Sequence, residues 1–80
     1  MRNEILRYER IRSMRTDCGL SQQQIADMLN VKQNTYSQYE IGVLNYPLDV
    51  VVRLAEYYGT SVDYLLGLTD EKAPYPRRKR

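Results

Sequence analysis

The stretch that decides the fold is "SQQQIADMLNVKQNTYSQYEIG", residues 21–42. Ser21 and Gln24 stand three apart, the spacing of a capping box that satisfies two free backbone N–H groups at a helix start. Ile25, Ala26, Met28 and Leu29 then form a buried side. Asn30 and Val31 break the pattern. Asn tolerates a left-handed turn, and Val31 can fill the gap between two helices. A second helix spans about Gln33 to Ile41, and Gly42 ends it. At roughly 100° per residue, Thr35, Tyr36 and Tyr39 share one arc, and Gln33, Asn34, Ser37, Gln38 and Ile41 share the opposite one. Solvent faces usually carry Lys and Glu. Here the outer arc is amide, hydroxyl and one aliphatic side chain.

Two short helices joined by so few residues cannot lie antiparallel. They cross steeply, as a helix-turn-helix unit, and the second helix protrudes. Such a helix can enter a DNA major groove. There an amide of Gln or Asn can span the N6 donor and N7 acceptor of adenine. An enzyme would need titratable groups on this face, and it has none.

Three further helices surround the unit. The first is expected from about Asn3, its cap, to Asp17, with Tyr8, Ile11, Met14 and Cys18 as one apolar stripe. Cys18 is expected to pack as a small hydrophobe at the stripe's end. Gly19 stops the helix. After the "VLNY" loop, residues 43–46, Pro47 suits the first turn of a fourth helix. Leu48, Val51, Leu54, Ala55 and Tyr58 are its apolar stripe, and Gly59 ends it. Ser61 caps a short fifth helix, with Asp63 placed for the helix dipole. Val62, Leu65 and Leu66 face inward and Gly67 closes it. The chain reads as all-α, a five-helix bundle over residues 1–67. Residues 68–80, "LTDEKAPYPRRKR", carry two prolines and many charges and read as a flexible basic tail.

Eighty residues, 42% of them apolar, suit one small domain. No apolar run approaches a membrane span, and the N-terminal "MRNEILRYER" is too charged for a secretory signal. One cysteine and no histidine exclude a disulfide framework, a zinc site and a histidine-based triad. No cofactor is expected, and a reducing, cytoplasmic setting fits. The net charge of +2 hides a division. Residues 77–80 supply +4, residues 1–15 a net of +3, and residues 16–76 carry three basic side chains against eight acidic ones. Positive charge at the two ends could grip a polyanion. Aromatic usage is eight Tyr with no Phe and no Trp. Tyr36, Tyr39 and Tyr58 read as core and Tyr8 as a further candidate, whereas Tyr46, Tyr57, Tyr64 and Tyr75 read as partly exposed.

From Ile11 to Gly67 the sequence resembles the Cro/repressor-type helix-turn-helix family, also called XRE. Leu20-Ser21-Gln22, Ile25-Ala26, Val31, Tyr39-Glu40, Gly42, Leu54-Ala55 and Ser61-Val62-Asp63-Tyr64-Leu65-Leu66 fall in its register. The resemblance implies a lambda-repressor-like domain that binds operator DNA, usually as a homodimer on a two-fold site. By position it implies base contacts from Gln33, Asn34 and Gln38, with Ser37 at the groove edge. It implies that Gln22 touches a phosphate and braces Gln33, and that Arg15 pairs with Glu40 while facing the DNA backbone. Two departures stand out. Lys32 occupies a place that often holds a capping hydroxyl, caps poorly, and could reach a phosphate. The loop after helix three is uncharged, leaving Asn45, Tyr46 and backbone N–H groups for phosphates. The expected role is a transcriptional regulator, a repressor or an antitoxin-like protein. The alternative is a protein-interaction module on the same fold, favoured by the apolar "GVL" segment and the acidic body.

Overall fold

The computed structural model describes residues 8–74 and residue 76. Five helices follow one another: α1 (Glu9–Asp17), α2 (Gln22–Leu29), α3 (Gln33–Glu40), α4 (Leu48–Tyr58) and α5 (Val62–Leu65). Each contributes one of the largest fully buried side chains: Ile11, Ile25, Tyr36, Leu54 and Leu65 respectively. A single core therefore needs every helix, which is how so short a chain closes.

The caps follow local chemistry. The Ser21 hydroxyl accepts from the Gln24 N–H at 3.1 Å, and Gln24 Oε1 accepts from the Ser21 N–H at 2.8 Å. At α5 the Ser61 hydroxyl accepts from the Tyr64 N–H at 3.0 Å. Asn30 ends α2 at φ 62, the left-handed conformation expected of it. Its N–H and that of Val31 return to carbonyls of the last turn, so the chain reverses sharply into α3. Arg53 of α4 closes the same end, donating to the Leu29 carbonyl at 3.1 Å and the Met28 carbonyl at 2.7 Å. A cation there meets the negative end of the α2 dipole.

Several sequence expectations need correction. Helix α1 does not run through Tyr8, which sits at its N-cap position with φ 62. The proposed Asn3 cap lies outside the described residues, as does Tyr75. Cys18 is exposed, because α1 ends at Asp17 and Cys18 follows the turn away from the core. The last inward place on α1 goes to Arg15, one turn beyond Ile11. Leu48 is 84% exposed, because the first turn of α4 turns Val50 and Val51 inward and leaves Leu48 on its outer side. Pro47 stands just before α4, at the N-cap. Tyr58 is half-buried, although its hydroxyl is enclosed.

The segment after Gly67 makes specific contacts. Arg10 lies over the Tyr64 ring, 4.2 Å from its centroid. It donates to the Tyr64 carbonyl at 3.1 Å, to the Thr69 carbonyl at 2.6 Å and to Asp70 at 3.2 Å. The Ser61 N–H reaches the Lys72 carbonyl at 3.3 Å. Residues 69–72 are thus tied to α1 and to the start of α5.

Candidate nucleic-acid interface

The orientation of α3 is set from beneath by a buried ion pair. Arg15 Nε donates to Glu40 Oε2 at 2.7 Å and Arg15 Nη2 to Glu40 Oε1 at 3.1 Å, while Nη1 reaches the Leu20 carbonyl at 2.7 Å. The Glu40 side chain is only 3% exposed. Such a fork fixes distance and plane together, so it clamps the C-terminal turn of α3 to α1.

Burial pushes the Glu40 carboxyl up. The hydrogen bond from Arg15, the nearby Tyr36 hydroxyl and the hydrogen bond from Gln22 pull harder the other way, so its pKa lies below the ordinary carboxylate value. The hydrogen bond to Glu40 raises the Arg15 pKa in turn, against the effect of burial. Tyr36 is buried with its hydroxyl toward Glu40 but outside hydrogen-bond geometry. Burial first, and then the carboxylate, pushes its pKa far up. The hydroxyls of Tyr46 and Tyr58 are also enclosed without a hydrogen bond, and burial raises both.

Two amides extend this pair to the surface. Gln22 Nε2 donates to Glu40 Oε1 at 3.0 Å, and Gln33 Nε2 donates to Gln22 Oε1 at 2.7 Å. The resemblance suggested the Arg15–Glu40 and Gln22–Gln33 contacts separately. The Gln22–Glu40 bond that joins them was missed, since residues 18 apart on different helices leave no periodic trace. The Arg53 cap of α2 was missed for the same reason.

On α3, Asn34 is exposed, and Gln33, Ser37 and Gln38 are half-buried along one side. Ile41, at the C-cap, is 59% exposed and continues that side. Lys32 is exposed at the N-cap and makes no side-chain cap bond. Asn45 is exposed in the following loop.

Three expected phosphate contacts are changed by this geometry. All three Arg15 guanidinium nitrogens are engaged inside the fold and the residue is buried, so its side chain serves the clamp. The Tyr46 hydroxyl is enclosed, with its ring 5.2 Å from that of Tyr39 and 6.2 Å from that of Tyr8, so it cannot meet a phosphate. The loop N–H groups of Val43 and Leu44 both donate to the Gln38 carbonyl, at 3.0 and 3.1 Å, and are not available either. Among the described arginines of α1, Arg10 is committed to Tyr64, Thr69 and Asp70, which leaves Arg12 exposed.

Among the described residues no helix is long and apolar enough to cross a membrane, and no group of three His, Cys, Asp or Glu could hold a metal ion.

Comparison with known proteins bears on this architecture. Residues 11–65 match the family described as Helix-turn-helix. The chain is 39% identical over 71 residues to the HTH-type transcriptional regulator YobD of Bacillus subtilis (strain 168), covering 89% of this chain and 63% of that protein. It is 40% identical over 58 residues to the SPbeta prophage-derived HTH-type transcriptional regulator YonR of the same organism, covering 72% and 54%. It is 35% identical over 57 residues to the cryptic phage CTXphi transcriptional repressor RstR of Vibrio cholerae, covering 71% and 51%. The chain therefore spans less than two thirds of the length of these relatives. No solved structure matches it. The family match across most of the chain, the curated relatives and the five-helix architecture together show that the chain belongs to the Cro/repressor-type (XRE) helix-turn-helix family.

Proposed function

We propose that this chain is a sequence-specific DNA-binding transcriptional regulator of the repressor type, a non-enzymatic protein that reads the major groove with α3. One observation carries the reading. The outer side of α3 presents Gln33, Asn34, Ser37 and Gln38 on a helix clamped rigidly to the bundle. Gln33, Asn34 and Gln38 meet base edges, because one amide supplies the donor and acceptor that adenine requires. Ser37 lies at the groove edge. Gln22 at the start of α2, Lys32 and Asn45 flank the reading face and contact phosphates, which set register without reading sequence. The similarity to proteins named as regulators and as a repressor supports the direction of control.

The protein acts as a homodimer on two-fold duplex DNA in the cytoplasm. Residues 1–67 form the binding domain, and the basic end of the chain, Arg77 to Arg80, adds non-specific attraction. Support for a second copy comes from α4 and α5, where exposed Leu48 and Val52 border a groove of about 170 Å³ with Val51, Val62 and Leu66.

Gln33→Ala tests base reading. Affinity should fall by about 1–3 kcal/mol at one base pair of each half-site. An equal loss on every sequence, measured by titration on single-position duplex variants, would refute it.

A second reading is favoured by one observation. Val43 is 65% exposed and Leu44 is exposed, beside α3, where phosphate contacts would be polar. On that reading the fold presents α3 and this loop to a protein partner, as an antitoxin-like protein would. Binding to duplex DNA that ignores salt, or no binding, would favour it.

A further inference from the structure

Four polar side chains from three helices form one line of hydrogen bonds that ends at the Gln33 amide. Arg15 of α1 donates twice to Glu40 of α3. Gln22 of α2 donates to Glu40, and Gln33 of α3 donates to Gln22. An ionised carboxylate can only accept. The end of Gln22 that faces Glu40 must therefore be its NH2 group, which turns its oxygen toward Gln33. That oxygen also only accepts, so Gln33 must turn its own NH2 group toward Gln22. The two ends of an amide are nearly the same shape, and nothing steric would choose between them. Here each choice follows from the one before, starting from the charge on Glu40. The donors around Glu40 keep it ionised at neutral pH, so the starting point does not change.

With one Nε2 hydrogen committed, Gln33 retains Oε1 and its second Nε2 hydrogen. No other hydrogen bond among the described residues engages this amide. An acceptor beside a donor complements the N6 amino group and N7 of adenine. Guanine carries the acceptor O6 where adenine carries N6, so O6 would meet Gln33 Oε1 acceptor to acceptor. An amide free to turn over could offer its NH2 group to O6 instead.

We propose that Glu40, acting through Gln22, is a positioning residue that fixes which way the Gln33 amide faces and thereby makes Gln33 select adenine over guanine. This rests on the major-groove reading of α3 given above. It adds to the clamp a second task, felt at one base pair only. Glu40 itself touches no base.

The test uses the full chain and the duplex it retains from a random pool. Gln33→Ala first identifies the base pair that Gln33 reads. Binding is then compared on two duplexes differing only there, A·T against G·C. Wild type should prefer adenine by about ten- to a hundredfold. Gln22→Met keeps the side-chain length and the Arg15–Glu40 pair but removes donor and acceptor. Glu40→Gln lets the line of bonds run in either direction. Both should bring the ratio down to a few-fold while preferences at the other base pairs persist. A clamp with no further role would lower affinity on both duplexes alike and leave the ratio intact, and that result overturns the proposal. Should Glu40→Gln fail to fold, Gln22→Met still tests the relay, because its Arg15–Glu40 pair is whole, and an unchanged ratio in that variant overturns the proposal. If no duplex is retained, or if Gln33→Ala changes no base preference, the major-groove reading fails and the proposal falls with it. If Gln33→Ala acts and the two relay variants do not, the proposal alone is wrong.

Discussion

Glu40 is the residue on which most of the site's geometry depends. It accepts from Arg15 and Gln22, lies beside Tyr36, and is almost wholly enclosed. Removing one partner of a buried pair leaves an uncompensated charge, so Glu40→Ala should cost about 3–5 kcal/mol of stability. Denaturant titration checks this, and an unchanged midpoint would contradict the clamp. The pair also sets a pH dependence. Because the folded pKa of Glu40 is depressed, its contribution is fully present above the unfolded carboxylate value of about 4.3 and is lost as pH falls through the lower folded value. The stability difference between wild type and Glu40→Gln should therefore be constant near neutrality and shrink below about pH 4. A difference that grows on acidification would contradict this assignment. The members of this cluster were legible by family register at Arg15, Glu40, Gln22 and Gln33. Their connection was not, since it joins positions on three helices. The burial of the Tyr46 hydroxyl was not legible either, because tyrosine is amphipathic and only packing decides where its hydroxyl ends.

At the scale of elements, the short chain relies on local signals that agree with the fold. The Ser21–Gln24 box, Asn30 and Ser61 all do what their residue types favour. Ser21→Ala should cost about 1 kcal/mol, the usual worth of an N-cap side chain, with DNA preference retained. Thermal melting and a duplex titration read the two effects apart. The α2 C-terminus has a support that no local pattern announces, the Arg53 guanidinium reaching across from α4. Helix periodicity failed where elements end. Cys18 and Leu48 carry the right spacing, but Cys18 lies past the last turn of α1, and at the start of α4 Val50 and Val51 take the buried places instead of Leu48. Periodicity assigns a side of a helix; it does not say how far the bundle reaches along it. Apolar periodicity also passes over Arg15, a charged residue at an inward position of α1 that only the family register marked.

At the scale of the whole molecule, five short helices share one core, and charge divides between the body and the two ends of the sequence. Leu54 is fully enclosed, so Leu54→Ala should cost about 2–5 kcal/mol, a large part of the stability of so small a domain. Removing residues 77–80 should weaken DNA binding on all sequences alike. It should also flatten the salt dependence by about 0.9 in log–log slope for each phosphate that is no longer neutralised. A changed sequence preference would mean that these residues do more than attract phosphate. The acidic body and the uncharged loop after α3 leave few side chains to hold a phosphate, so on the proposed reading the amide face supplies specificity and charge elsewhere supplies attraction. The most direct measurement is selection from a random duplex pool at near-physiological salt, followed by sequencing of the retained fraction. Major-groove reading by α3 predicts a two-fold motif with half-sites about one helical turn apart and adenine at the base pair to which Gln33→Ala becomes indifferent. Enrichment of nothing, even at low salt, would contradict it.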